Sequence, residues 1–243
     1  MKKTVLLIFA LVFSMMILPV AAGEKESALL VSCDVADVIA AKEAYLLFLL
    51  DGKGMTVSQA LQDYTLKEKK FSTLLKKSFP KAEIKSISVN MGGNLVSAYR
   101  ATDTPFIPQM TKVLLLTIPP DEKMAAGILD LGVKNSLQPF FGITSYDGRA
   151  GALYYGIKEK DLDLKPYLKK AAGTLAEKAQ EMAKIVGVKK GKLVYMGEPC
   201  WHNDRKYIVY YRDIKVTLPG KFCSSDKNIP ISFTIPARYE IVE

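Results

Sequence analysis

The residues of this sequence that are best suited to chemistry lie together at Cys200-Trp201-His202-Asn203-Asp204. The segment combines a thiol, the only histidine of the chain and a carboxylate within five positions. Cysteine and histidine are ligands that a soft metal such as copper accepts, although a closed metal site needs more ligands than this pair provides. One interpretation of the segment is therefore a metal or small-ligand site that uses Trp201 and His202.

The same segment is also typical of a hairpin turn, because glycine, proline, asparagine and aspartate recur between residues 197 and 204. A bridge from Cys200 to Cys223 would close a modest loop and would stabilise the fold by about 3 kcal/mol in the chain-entropy model. The second interpretation is thus a turn tied by a Cys200–Cys223 disulfide, with Cys33 as a buried free thiol. The odd number of cysteines, three in all, leaves an intermolecular disulfide open as well.

Other reactive arrangements are absent from the sequence. Nucleophilic hydrolysis requires a base beside a serine or cysteine, and the chain has one histidine and no Gly-x-Ser-x-Gly elbow. The acidic residues at Asp121-Glu122, Asp161 and Asp163 lie at predicted helix starts, where capping accounts for them. The glycines at 52–54 and 92–93 match turns and no phosphate-binding loop. We therefore expect no enzymatic activity, no catalytic residues and no cofactor.

The N-terminal residues predict that the chain is exported. Two lysines precede an apolar stretch, Val5–Leu18, which is followed by Pro19 and the small residues Val20-Ala21-Ala22. This order is typical of a cleaved secretory signal, and the stretch is shorter than the ~20 residues of a membrane-spanning helix. The sequence therefore predicts a signal peptide over 1–22, a mature domain over 23–243, and a periplasmic or otherwise extracytoplasmic location.

The charge of the chain restricts its partners. The formal net charge is +9, and it becomes +7 after removal of Met1–Ala22, which contains two lysines and no acidic residue. The basic residues are spread along predicted helices and turns and do not form an arginine-rich stripe interleaved with aromatic residues. This distribution excludes a nucleic-acid-binding protein and predicts a weak association with envelope or other anionic surfaces.

Two helices of the predicted fold have clear signatures. Thr56, followed three residues later by Gln59, forms a capping box, and Pro80 ends the helix that it opens. The stretch Lys165–Gly187 has small and apolar residues at steps of three and four, five of nine being alanine, which predicts a helix that lies flat on a sheet. Its small and apolar positions are Leu168, Ala171, Ala172, Leu175, Ala176, Ala179, Met182, Ala183 and Val186.

Strand-like segments surround these helices. They are Ser27–Ile39, Glu43–Asp51, Ala82–Val89, Lys112–Ile118, Gly148–Lys158, Leu193–Met196, Tyr207–Val216 and Ile231–Val242. A further short helix is predicted after Pro119-Pro120, since proline is favoured in the first turn of a helix. This order of elements predicts an α+β fold with antiparallel sheets and helices packed on one side.

The segment from Tyr154 to Pro199 resembles the C-terminal signature of the SIMPL-domain family. That signature is a strand, an alanine-rich helix, two glycines spaced by three residues, and a second strand. The matching positions here are Ala172, Ala176, Ala179, Ala183, Gly187, Gly191 and Leu193. The export signal, the first strand pair, the first helix and the strand and short helix around Val113–Val133 follow in the order of the family, so the resemblance extends over most of the mature chain.

The resemblance implies an exported bacterial α+β protein of the periplasm or envelope. Some members of the family assemble into ring- or channel-like oligomers, and some are associated with protection against oxidative stress, without an agreed enzymatic activity. We therefore expect a non-enzymatic envelope protein that acts by homo-oligomeric assembly or binding, with stress protection as the implied role. The alternative is a small-ligand or metal-binding periplasmic module that uses the Cys200–His202 region.

Overall fold

The computed structural model describes residues 28–93, 108–144, 148, 150–202, 206–211 and 214–242. The predicted signal peptide and the pair Asn203-Asp204 lie outside these residues. No helix among the described residues is both long enough and apolar enough to cross a membrane.

The described residues form an α+β fold with antiparallel sheets. The helices are α1 (Val57–Ser78), α2 (Glu122–Lys134) and α3 (Lys165–Val186), with a 3-10 turn at Glu159–Asp161. The first eight strands are β1 (Ala28–Ala40), β2 (Glu43–Lys53), β3 (Glu83–Gly93), β4 (Pro108–Ile118), β5 (Gln138–Pro139), β6 (Gly142–Thr144), β7 (Ala150–Gly151) and β8 (Leu153–Ile157). The remaining strands are β9 (Lys189–Met196), β10 (Cys200–Trp201), β11 (Ile208–Tyr211), β12 (Ile214–Thr217), β13 (Phe222–Ser224) and β14 (Asn228–Val242).

The strands belong to three sheets. Sheet 1 has the order β1-β14-β10, and β9 also pairs with β14. Sheet 2 has the order β13-β8-β2-β4-β3, and β5 also pairs with β2. Sheet 3 has the order β12-β11-β6-β7.

The helix ends follow the signals in the sequence. The backbone N–H of Gln59 donates to the Thr56 hydroxyl at 3.2 Å, and the Gln59 side chain accepts from the Thr56 N–H, so the predicted capping box is confirmed. Asp121 caps α2 by accepting from the backbone N–H groups of Lys123 and Met124. α3 ends at the predicted glycine, since Gly187 has φ +77°, a left-handed conformation that glycine adopts without strain.

The chain divides into two compact units. Of the described residues, unit 1 contains those within 28–32, 173–197 and 236–242, and unit 2 contains those within 33–172 and 198–235.

Unit 2 is organised around β2, whose residues 44–50 are all buried. Phe48 faces the helices: its ring centroid lies 5.7 Å from that of Phe71 in α1, and its ring leaves no space for a side chain at Gly132 in α2. The alternate residues of β2 face sheet 3 instead. These alternate residues pack in a hydrophobic core with residues of sheets 2 and 3 and their connections. The core consists of Tyr45, Leu47, Leu49, Val113, Leu115, Phe140, Tyr154, Tyr207, Val209, Val216 and Leu218.

Unit 1 holds the second part of α3 against strands of sheet 1. Leu175, Ala179 and Ala183 are buried, as the alanine-rich face predicts. Lys178 Nζ donates to the carbonyl of Ser32 in β1 at 2.9 Å, and Lys190 Nζ in β9 donates to the carbonyl of Ala176 at 3.4 Å. The helix therefore lies close to both strands.

Two segments that the sequence predicts as single strands are each divided in the structure. The predicted strand Gly148–Lys158 becomes β7 and β8, because the chain leaves sheet 3 and enters sheet 2 between them. The predicted strand Tyr207–Val216 becomes the hairpin of β11 and β12, in which Tyr211 pairs with Ile214. The apolar patterns of these segments were sufficient to predict extended backbone, but they carry no signal for a change of partner.

Candidate functional site

The predicted binding segment is positioned by one short strand. β10 pairs antiparallel with β14, so that Cys200 lies opposite Thr234 and Trp201 lies opposite Phe233. The pairing continues for one residue, because the His202 N–H donates to the Ser232 carbonyl at 2.9 Å. Since residues alternate between the two faces of a strand, Trp201 and His202 point to opposite faces of sheet 1.

Trp201 is a packing residue in this structure. Its ring centroid lies 4.6 Å from that of Phe233 and 4.7 Å from that of Phe222, and the side chain is half-buried. Tilted and edge-on aromatic contacts at these distances stabilise a core. The structure thus places Trp201 within an aromatic cluster of unit 2, away from the face that carries His202.

His202 lies on the exposed face, where hydroxyl groups engage both ring nitrogens. Nδ1 lies 2.8 Å from the Ser232 hydroxyl, and Nε2 lies 2.7 Å from the Thr234 hydroxyl. The Thr234 hydroxyl donates in turn to the Asp34 carboxylate of β1 at 2.5 Å. These four side chains form a continuous hydrogen-bonded row across three strands, which we call the His202 row.

The direction of the hydrogen bonds fixes the tautomer of a neutral His202. A carboxylate only accepts, so the Thr234 hydroxyl proton points to Asp34 and the Thr234 oxygen is left to accept from the ring. Nε2 therefore carries the proton of the neutral ring, and Nδ1 accepts from the Ser232 hydroxyl. The row can polarise the Ser232 hydroxyl through a correctly oriented base, which is one element of nucleophilic chemistry.

The arrangement is poorly suited to a metal ion. A metal ion binds an unprotonated ring nitrogen. In the neutral ring of His202 that nitrogen is Nδ1, which already accepts a hydrogen bond from the Ser232 hydroxyl. No group of three or more histidine, cysteine, aspartate or glutamate side chains in the described part of the chain has the geometry to hold a metal. Asp204, which the sequence places beside His202, lies outside the described residues.

The disulfide predicted between Cys200 and Cys223 is not formed, and this corrects the prediction of a disulfide-tied turn. All three cysteines are free: Cys33 is buried, Cys200 is exposed and Cys223 is partly buried. The physical reason is the direction of the Cys200 side chain: Trp201 packs inward against Phe222, so the preceding Cys200 points to the opposite, exposed face of β10. Cys200 lies in β10 of sheet 1, whereas Cys223 lies in β13 of sheet 2, opposite Gly156 of β8.

Cys223 belongs instead to an internal polar cluster of unit 2. Its Sγ lies 3.7 Å from the Gly220 carbonyl, and burial raises the pKa of the Cys223 thiol to about 12. Tyr45 donates to Glu43 at 2.9 Å, and Lys158 pairs with the same carboxylate. Burial, followed by the charges of Cys223 and Glu43, raises the pKa of the Tyr45 phenol above its ordinary value. Raised pKa values keep the thiol and the phenol neutral, so this cluster is not an activated nucleophile.

A second internal polar contact of unit 2 joins α1 to β4. Lys112 Nζ lies 2.7 Å from the Glu68 carboxylate and 5.1 Å from the centre of the Tyr64 ring. Burial alone would lower the pKa of Lys112, but the hydrogen bonds with Glu68 and Tyr64 outweigh it, and the pKa lies above its ordinary value. The charge of this lysine is thus matched inside the fold.

The sequence singles out His202 but does not indicate the residues around it. Asp34, Ser232 and Thr234 come from β1 and β14, far from His202 along the chain, and they are small polar residues in strands that otherwise read as apolar. The alternation of polar Ser232 and Thr234 with buried Ile231, Phe233 and Ile235 is the one local signal, since it marks a strand with one solvent-facing side.

Comparisons with known proteins do not add to this description. No protein-family model matches the chain, and the comparison with curated proteins gives no matching relative.

Proposed function

We propose that this chain is an exported, SIMPL-like α+β protein of the cell envelope that acts by self-association and binding and not by turnover. The observation that carries the proposal is an apolar area on the solvent side of sheet 3. Ile143 of β6 lies directly opposite Tyr210 of β11, and both are exposed. Phe141, one residue before β6, is 60% exposed.

This area favours a second copy of the chain as the partner. Gly142, Thr144 and Val209 of the same strands are buried, so the sheet is already covered on its other side. Ile143 and Tyr210 face each other across adjacent strands and, with Phe141, form a compact apolar surface. We call these three residues the sheet 3 patch. A two-fold contact would place the patch of one copy on the same patch of another and would remove it from water.

The proposed absence of turnover follows from the sequence, which offers no convergent catalytic set. The hydrogen-bonding groups of Lys112, Glu43 and His202 are satisfied within the fold. The His202 row has a base and a hydroxyl, yet acyl transfer also needs donors aimed at the developing oxyanion. The role in stress protection rests on the family resemblance alone.

Sedimentation velocity of the protein purified after signal cleavage tests the self-association. We expect an oligomer at micromolar concentration that Ile143→Lys converts to monomer. Val133→Lys is the matched control, because Val133 is equally exposed in α2 and lies outside the sheet 3 patch. A wild-type protein that is monomeric under these conditions would contradict the proposal.

Export is tested separately by the mass of the protein recovered outside the cytoplasm. Cleavage after Ala22 leaves Gly23 as the first residue, and retention of the full mass would contradict the predicted signal peptide.

The alternative function, ligand or metal binding near Cys200 and His202, is the weaker proposal. Both nitrogens of His202 are engaged, and Trp201 packs inward. Isothermal titration with Cu(I) and Zn(II) tests it. Stoichiometric heat that is lost in His202→Ala would favour this alternative over self-association as the primary role.

A further inference from the structure

The apolar stripe of α3 extends beyond the part of the helix that is buried against sheet 1. Its buried positions end at Ala183, whereas Val186, one turn further on the same face, is 57% exposed. The neighbouring Ile185 is 84% exposed, the largest exposure of any large apolar side chain in the described residues. The helix thus ends in a projecting apolar turn, which Gly187 closes.

The strand that follows adds apolar side chains to the same unit. Leu193, Val194 and Tyr195 of β9 are all exposed. β9 pairs with β14 on one side and has no partner on its other side among the described residues. Leu193 pairs with Tyr239 and Tyr195 pairs with Arg238, which are neighbouring residues of β14, so Leu193 and Tyr195 point to opposite faces of the sheet. Met182, Ile185 and Val186, in contrast, lie on one side of the helix. We call the surface that these three residues form at the end of α3, where the chain turns towards β9, the α3–β9 corner.

Basic residues surround this corner. The described residues of unit 1 carry six basic side chains and three acidic ones. The basic residues are Lys178, Lys184, Lys189, Lys190, Lys192 and Arg238, and the acidic residues are Glu177, Glu181 and Glu240. Lys184 and Lys189 lie on either side of the projecting turn and are exposed. The apolar corner is therefore flanked by positive charge.

The structure disfavours pairing of β9 with the edge of a second copy. The β9–β14 ladder contains register shifts between Arg238 and Tyr239 and between Tyr239 and Ile241. Such bulges twist an edge strand, and lysines along it repel a second basic strand. Lys189, Lys190 and Lys192 would face their own copies or neighbours in such a contact.

We infer that the α3–β9 corner docks on the surface of an anionic lipid bilayer. This inference rests on the proposed envelope location and names a second partner besides another copy of the chain. Ile185 and Val186 would enter the boundary between headgroups and acyl chains. The flanking lysines would lie at the level of the phosphates, where anionic lipid attracts them.

Co-sedimentation with lipid vesicles tests the inference. The intact protein after signal cleavage is mixed with vesicles of phosphatidylcholine alone or with phosphatidylglycerol added. We expect binding to the anionic vesicles only, with lower affinity at high salt because the charge attraction is screened. Ile185→Ser should weaken binding about tenfold, since one buried large apolar side chain corresponds to at least that factor. Lys184→Glu should weaken it by about fivefold or more.

Leu66→Ser is the matched control, because Leu66 is also an exposed apolar residue of a helix, α1, and lies in unit 2. It should bind vesicles like the wild-type protein, and circular dichroism should show that all three variants are folded. Equal binding by Ile185→Ser and Leu66→Ser, or no preference for anionic lipid, would overturn the inference. Loss of self-association in Ile185→Ser without any vesicle binding would also overturn it, since a second copy would then cover the corner.

The two proposals can fail independently. A monomeric wild-type protein that still binds anionic vesicles contradicts self-association and retains the lipid surface. An oligomer that dissociates with Ile143→Lys and ignores vesicles contradicts only the lipid surface.

Discussion

Unit 1 and unit 2 use apolar residues in opposite ways. In unit 2 the strand β2 buries seven consecutive residues, and helices and a second sheet cover its two faces. In unit 1 much of the buried surface of α3 is alanine, and eight large apolar side chains are exposed. These eight are Leu30, Met182, Ile185, Val186, Leu193, Val194, Tyr195 and Val242.

The difference separates residues that fold the chain from residues that remain available for contact. Alanine buries little area, so a helix lined with it lies close to a sheet but contributes less to the hydrophobic free energy than one lined with leucine or phenylalanine. Exposed leucine or valine contributes nothing until a partner covers it. Unit 2 therefore supplies most of the core and also carries the sheet 3 patch, whereas unit 1 supplies little core and carries the α3–β9 corner.

Truncating one apolar side chain in each unit tests this difference. This test has the largest expected effect on the free energy of unfolding. Phe71→Ala in unit 2 should lower the free energy of unfolding by about 3–5 kcal/mol, because it opens a cavity beside Phe48. Val186→Ala in unit 1 should change it by less than about 0.5 kcal/mol. Urea unfolding followed by fluorescence measures both. A loss above about 2 kcal/mol in Val186→Ala would show that this end of α3 is covered in the isolated protein.

Removing one ion pair from each unit compares the two units again, with a smaller expected change in the free energy of unfolding. Glu68→Gln leaves Lys112 largely buried without its counter-charge and should cost about 2 kcal/mol. The matched change in unit 1 is Glu240→Gln, whose partner Lys192 is 79% exposed, and it should cost less than about 0.5 kcal/mol. The same unfolding experiment applies. Equal costs would contradict the assignment of Lys112 to the interior.

The buried thiol of unit 2 gives a pH dependence. The ordinary pKa of a thiol is 9.0, and burial raises that of Cys223 to about 12. Above pH 9 the unfolded chain loses this proton while the folded chain keeps it, so the free energy of unfolding should fall by up to about 1.4 kcal/mol per pH unit. Measurements between pH 8.5 and 9.5 precede most of the effect of Tyr45, because the unfolded phenol ionises around its ordinary pKa of 10.0.

Alanine variants of the two cysteines separate this effect from general alkaline unfolding. Cys223→Ala should reduce the slope, whereas Cys200→Ala, at an exposed position, should leave it unchanged. A slope that is the same in both variants would show that Cys223 is not its source.

Much of the fold follows from local signals. Three helix ends lie where the sequence predicts them. They are set by Thr56 with Gln59, by Asp121 after two prolines, and by Gly187 after the alanine-rich stripe. Capping depends on neighbours within four residues, so the sequence contains the whole signal.

The candidate site was harder to predict from the sequence, because its residues come from strands that are far apart along the chain. His202 is recognisable as the only histidine, but its contacts with Ser232, Thr234 and Asp34 depend on the pairing of β10 and β14 and the placement of β1. The same reason explains the disulfide. Cys200 points outward from β10 while Trp201 beside it packs against Phe222, and this direction depends on the pairing of β10 with β14.

The smallest expected effect concerns the tautomer of His202. Nitrogen-15 NMR of the imidazole at neutral pH should show the proton on Nε2. Asp34→Ala releases the Thr234 hydroxyl, so the two tautomers should become mixed, with a loss of stability within about 1 kcal/mol. A proton on Nδ1 in the wild-type protein would contradict the direction assigned to the His202 row.

Hydrogen exchange, measured peptide by peptide with and without anionic vesicles, tests most directly whether unit 1 supplies a contact surface. Peptides that cover residues 182–195 should exchange more slowly when vesicles are present, and peptides from β2 should be unchanged. Unaltered exchange over 182–195, or protection confined to unit 2, would contradict the assignment of the lipid-contact surface to unit 1.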